Sequence, residues 1–268
     1  MNDITKMSVG QRQYLKKLKR SRQMIQLFRI LIFMVFVFIW EISTQLQCID
    51  SFIFSSPSRV IKTIYTMSLN QSLFLHIGIT LWETLVSFFI VSVLGTGIAV
   101  LLWLSPRLSA ILEPYLVVLN SLPKSALAPL LIVWLGANMT TIIVAGVSVA
   151  IFGSIINLYT GFQEISPDKL KLIYTLGGNK KDALTKVVLP SSIPAMLGIM
   201  KVNIGLCLVG VVIGEFIGSK QGLGYLIIYG SQVFKLDWVI MSIIILCIIA
   251  MLLYNLINLL EKLYSKRI

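Results

Sequence analysis

Residues 171–190 read Lys171-Leu172-Ile173-Tyr174-Thr175-Leu176-Gly177-Gly178-Asn179-Lys180-Lys181-Asp182-Ala183-Leu184-Thr185-Lys186-Val187-Val188-Leu189-Pro190. This stretch is amphipathic, and it joins two long apolar runs, 139–159 and 193–217. Leu170, Ile173, Tyr174 and Gly177 recur at i, i+3, i+4, i+7, while Ala183, Leu184, Val187 and Val188 recur at i, i+1, i+4, i+5, so the spacing predicts two short amphipathic helices. Gly177-Gly178 separates them. Gly177 suits a turn where no Cβ can be tolerated, and Pro190, with Ser191, Ser192 and Pro194, predicts a fresh helix start that leads into the following apolar run.

Outward from this connection the chain is a membrane protein. Of 268 residues, 57% are hydrophobic and only 13% charged, and the mean hydropathy is +0.89. An ordinary soluble domain carries about 25% charged residues. Six apolar segments stand out, at about 25–45, 79–104, 110–136, 139–159, 193–217 and 238–260. Each is long enough for a hydrocarbon core that needs about 20 residues per helix. The expected fold is therefore all-α and polytopic with six transmembrane helices: a basic segment over 1–24, a membrane domain over 25–260 containing the connection 160–192, and a tail over 261–268.

Six spans place both ends on one side. With that arrangement 17 of the 23 Lys and Arg fall on the side of the termini, four (Arg59, Lys62, Lys220, Lys235) on the other, and Lys124 and Lys201 lie inside apolar segments. The positive-inside rule then makes both termini, and the 160–192 connection, cytoplasmic. Eight basic residues between Lys6 and Arg29 sit just before the first apolar run, the pattern of a segment anchored among lipid headgroups rather than on nucleic acid. Cys48, Cys207, Cys247 and the one histidine, His76, show no metal or disulfide spacing.

Two further regions carry polar signals. In the outer stretch 47–78, Ser55-Ser56-Pro57-Ser58 predicts a turn and helix cap ahead of an amphipathic run from Val60 to Leu69. The third apolar segment is interrupted by Pro123 and Pro129 beside Asn120, Ser121 and Lys124. Proline frees backbone carbonyls that lipid cannot satisfy, so this helix should face protein or a wet cavity. Ionisable and polar residues inside spans mark pathways or helix contacts. Asn203 and Glu215 in the fifth segment are candidates to face Asn120, Ser121 and Lys124 across a path, with Glu215 alternatively bonding a neighbouring helix; Lys201 either joins that path or snorkels to the surface, and Lys124 could serve structure alone. Glu41 and Glu113 lie near span ends, as interfacial residues would.

The spacing of the connection, Gly177, nine residues, Val187-Val188-Leu189-Pro190, resembles the EAA loop of binding-protein-dependent ABC importers. In that family the pattern is Glu-Ala-Ala, three residues, Gly, nine residues, Ile, any residue, Leu-Pro. Here Gly177, Leu189 and Pro190 match, Val187 stands for Ile, and Lys171-Leu172-Ile173 replaces the Glu-Ala-Ala triplet. Phe54 to Val60, Leu122-Pro123 to Gly136, and Gly210 to Gly218 followed by Gly222-Leu223-Gly224-Tyr225-Leu226 are similar, in order and spacing, to the branch of permeases for nitrate, sulfonates, taurine and thiamine precursors. Glu83 departs from that branch, which implies a basic residue there.

The resemblance implies the type I importer permease fold in a bacterial inner membrane, a second permease copy, a cytoplasmic ATPase dimer and an external substrate-binding protein. It also implies a coupling loop formed by Lys171, Tyr174, Thr175, Leu176, Gly177, Gly178, Asn179, Leu189 and Pro190. A path along Asn120, Ser121, Pro123, Lys124, Pro129, Lys201, Asn203 and Glu215 is the companion expectation. The sequence has no P-loop, so ATP and Mg belong to the partner ATPase and this chain binds no cofactor. A polytopic membrane enzyme would need a catalytic constellation, and the sequence offers no HExxH or GxSxG. A channel would need a filter, for which Gly218–Gly224 is a poor candidate.

Overall fold

The computed structural model describes residues 9–265, so the first eight residues of the basic segment and the last three of the tail lie outside the described residues. All regular structure among the described residues is helical. The chain divides into two units, Met1–Lys62 and Thr63–Ile268.

In the first unit, α1 runs over Val9–Gln45, far beyond the apolar stretch expected at 25–45. Hydropathy marks the part of a helix that needs lipid; the Gln, Arg, Leu and Lys residues before it are good helix formers and extend it without a break. A short α2 (Ser51–Phe54) is capped by Asp50, which accepts from the Phe52 N–H at 2.8 Å. Helix α3 (Pro57–Leu69) starts as the Ser-Pro-Ser element predicts, with Pro57 in the first turn and the Arg59 N–H donating to Ser56 Oγ at 3.3 Å. Glu41 near the end of α1 accepts from the Ser58 N–H and hydroxyl at 3.1 and 2.9 Å, which fixes the start of α3.

The second unit holds α4 (Ser72–Leu104), α5 (Pro106–Ser121), α6 (Lys124–Leu135), α7 (Met139–Gln163), α8 (Pro167–Thr175), α9 (Lys180–Ala183), α10 (Leu189–Gly218), α11 (Leu223–Gln232) and α12 (Leu236–Ser265). Five described helices or continuous helical runs are long and apolar enough to cross a membrane, and six do so if the bent pair α5–α6 forms one span. Helix α7 is central and packs against both α4 and α10. The α7–α10 contact is close because Gly146 and Gly210 meet, and a β-carbon at Gly210 would lie 2.8 Å from the Gly146 Cα. Small residues are what allow membrane helices to approach so nearly.

Two expectations are corrected here. The third apolar segment does not break at both prolines. The chain turns by 94° at Leu122-Pro123, where both residues are extended, while Pro129 lies inside α6. Nor does Pro190 begin a fresh helix. The helical run is continuous from Lys180 to Gly218, and Leu184–Val188 form a π-turn in which the Leu189 N–H reaches the Leu184 carbonyl. Pro190 has no N–H to give and its ring crowds the carbonyl four residues back, so the widened turn immediately before it absorbs the misfit without ending the helix.

Candidate functional site

The loop 160–192 folds as a lever with two chemically distinct ends. Helix α8 closes in a Schellman arrangement: the Gly178 N–H donates to the Ile173 carbonyl at 2.9 Å and the Gly177 N–H to the Tyr174 carbonyl at 3.0 Å. Gly177 has φ +83° with open space around it, whereas a β-carbon at Gly178 would sit 2.6 Å from Ile173 Cγ2. The steric demand expected at Gly177 therefore falls on Gly178, and Gly177 is needed for its left-handed backbone. Asn179 and Asp182 then form a reciprocal capping box, 2.9 and 3.0 Å, that starts α9.

One face of the lever is anchored. Leu184 and Val188 are buried with Ala99, Leu158 and Phe162, and Leu170 and Leu189 pack against that cluster. The Lys180 ammonium sits 5.6 Å above the Trp103 ring at the end of α4. Away from this face, Leu172, Tyr174 and Leu176 are 60%, 46% and 75% exposed. Lys171, Thr175 and Pro190 are exposed too, Thr175 donating to the Lys171 carbonyl at 3.0 Å.

The residues expected along a path do not come together in the single chain. Ser121 and Pro123 are exposed at the bend and Pro129 is exposed within α6; Ser121 Oγ donates to the Val117 carbonyl at 2.9 Å and Lys124 Nζ donates to Asn120 Oδ1 at 3.3 Å. Lys201 is instead bound to Glu261 and to Asn258 on α12, with the Tyr254 ring 5.8 Å away. Asn203 is buried, donating to Ser154 Oγ on α7 at 2.8 Å. Glu215 is 1% exposed and turned toward α4 and α11. The expectation that Asn203 and Glu215 face Asn120, Ser121 and Lys124 is thus corrected: both are enclosed by helix packing within one copy.

Around Glu215 lies a cluster that sequence reasoning did not assemble. Thr80 donates its hydroxyl to Glu215 Oε1 at 2.6 Å and accepts from the Leu223 N–H at 2.8 Å; the Gly224 N–H donates to Glu215 Oε2 at 2.5 Å; and the Gly222 N–H donates to His76 Nδ1 at 2.9 Å. Glu83, also 1% exposed, hydrogen-bonds the Glu215 carboxyl, while its Oε2 is buried without a partner. The available signal was a stripe on α4: His76, Thr80, Glu83, Thr84 and Ser87 recur at helical spacing on one face of an apolar helix.

Comparison with known proteins matches residues 91–268 to the family described as binding-protein-dependent transport system inner membrane component. A probable ABC transporter permease protein of Haemophilus influenzae is 32% identical over 84% of this chain and 91% of its own length. A formylaminopyrimidine transport permease of Halalkalibacterium halodurans is 28% identical over 78% of this chain and 82% of its own, and a putative aliphatic sulfonates transport permease of Bacillus subtilis is 27% identical over 85% and 83%. Among solved structures, the methionine ABC transporter in inward-facing conformations is similar at TM-score 0.64, with 18% identity, 73% of this chain and 97% of that chain covered. That likeness shows the fold.

Proposed function

The chain belongs to the family of binding-protein-dependent transport system inner membrane components and is the permease subunit of an ABC importer, and from that premise we propose how it is coupled, assembled and oriented. Both termini and the 160–192 lever lie in the cytoplasm, where a separate ATPase dimer holds and hydrolyses ATP with Mg. An external binding protein delivers a small organic solute of the sulfonate, taurine, nitrate or thiamine-precursor type, and the chain itself performs no hydrolysis.

The observation that carries the coupling is the rigid continuity of the lever. Gly177 and Asn179 fix the turn, and the helix that follows runs unbroken from Lys180 to Gly218 into the membrane. A displacement of the turn by an ATPase is therefore transmitted to α10 as a rigid motion. Leu172, Tyr174 and Leu176 offer an apolar surface of the kind that marks a protein contact. At the exposed α5–α6 bend, the backbone needs protein or water around it, which supports a second permease copy enclosing a wet path along Asn120, Ser121, Pro123, Lys124 and Pro129. Gly177→Asp tests the lever: membrane abundance stays normal, while ATPase co-purification and uptake are lost. Normal co-purification together with normal uptake would remove the lever from the mechanism.

A further inference from the structure

The cluster around Glu215 places two carboxyls side by side, each 1% exposed among packed helices. We propose that Glu83 and Glu215 form a one-proton binding site, with the proton on Glu83, that fastens the 219–222 loop and the start of α11 to α4 and α10. The inference goes beyond the transport reading and depends on none of its partners.

The hydrogen bonds assign the proton. Thr80 accepts from the Leu223 N–H and donates its own hydrogen to Glu215 Oε1; the Gly224 N–H can only donate, and it occupies Oε2. Both Glu215 oxygens therefore act as acceptors, as in a carboxylate. The Glu83–Glu215 bond needs a hydrogen, and Glu83 supplies it. Its Oε2 is buried without a hydrogen-bond partner. An orphaned carbonyl oxygen costs less than an orphaned buried charge. Two adjoining buried carboxylates are disfavoured for the same reason that paired acids elsewhere keep one proton between them.

Exchange with solvent has a route. A cavity of about 340 Å³ is lined by Glu83, Asn138, Met139, Ile142, Gly218 and Gln221, among others. The other titratable groups facing the pair are few. On α4, His76 accepts from the Gly222 N–H through Nδ1; Tyr225 on α11 stacks on His76 with centroids 6.1 Å apart; and Lys220, exposed, also lines the cavity. Met139 and Ile142 of α7 carry none, and on α10 the group is Glu215 itself. With the proton bound, the loop is tied down by the bonds of Thr80 and Glu215 to Leu223 and Gly224; with it removed, the paired charges repel across the α4–α10 contact.

The test uses the full chain purified in lipid nanodiscs. Infrared spectra should show a protonated-carboxyl C=O stretch that disappears in Glu83→Gln, because Gln donates to Glu215 without titrating. The folded state binds a proton that the unfolded chain releases at neutral pH, so the wild-type Tm should fall as pH rises, while that of Glu83→Gln should not. A band that survives in Glu83→Gln would place the proton elsewhere and overturn the assignment. Absence of the band in the wild type, or equal pH dependence in both proteins, would overturn the one-proton site itself. Should Glu83→Gln fail to insert, the wild-type band and its pH dependence still decide.

Discussion

The lever and the Glu215 cluster use the same currency, hydrogen bonds to backbone N–H groups, over opposite distances in the chain. At Ile173–Asp182 the described hydrogen bonds that set the turn span no more than five residues. Around Glu215, Thr80 reaches across 135 residues to Glu215 itself and His76 across 146 to Gly222. The turn is therefore set by near neighbours alone and can be changed piecemeal. The cluster exists only when α4, α10 and α11 are all in place, and damage to one member reaches the others.

The sharpest way to break that contrast is Gly224→Val. A β-carbon there would lie 2.7 Å from Glu215 Oε2 and 2.9 Å from the Val212 carbonyl, and the second of these is backbone that cannot swing away. The substitution should cost about 3 kcal/mol through overpacking and the loss of the Gly224–Glu215 bond. Membrane abundance and thermal unfolding of the purified chain measure it, and a stable Gly224→Val protein would show that the cluster is not a single unit. Asn179→Ala should do much less. It removes half of the capping box and costs about 1 kcal/mol, so abundance should be near normal while ATPase co-purification weakens. Loss of abundance comparable to that of Gly224→Val would make the lever part of the fold's core rather than an appendage.

The same difference of range explains what could be read in advance. Apolar runs gave the spans, because lipid imposes a minimum length on each helix separately. Ser56-Pro57 and Gly177-Gly178 gave a helix start and a helix end, because caps depend on a few neighbouring residues. The course of the helix through Pro190 was not legible, since a π-turn and a helix break satisfy the same local pattern and only the continuing packing of Leu184, Val188 and Leu189 decides between them. The position of the bend was half legible: two prolines marked the segment, but only Pro123 sits where the chain can turn, and Pro129 is carried inside α6. Glu215 was recognised as costly in a membrane, as a residue that lines a path or bonds a neighbouring helix, yet its partners on α4 and α11 were not identified. The polar stripe on α4 was visible, but nothing in one sequence says that positions 80 and 215 meet.

The smallest expected effect concerns Lys171, where the Glu-Ala-Ala pattern is missing. Its ammonium lies 3.9 Å from Asp168, and both side chains are almost wholly exposed, 78% and 89%. An exposed pair of this kind adds little to stability, and alanine is at least as good a helix former as lysine, so Lys171→Ala should leave α8 folded and shift Tm by no more than about 1 °C. Any change in ATPase attachment is then a change in contact rather than in fold. If the lysine itself meets an acidic surface of the ATPase, Lys171→Ala should weaken co-purification about fivefold at low salt, and raising the salt should bring the wild type down toward the variant, because exposed charges are screened over about 10 Å at 0.1 M. If attachment instead rests on the exposed Leu172, Tyr174 and Leu176, Lys171→Ala should match the wild type at every salt concentration, and Leu176→Ser should lose attachment in its place. The two outcomes separate a lever that docks by charge from one that docks by apolar fit.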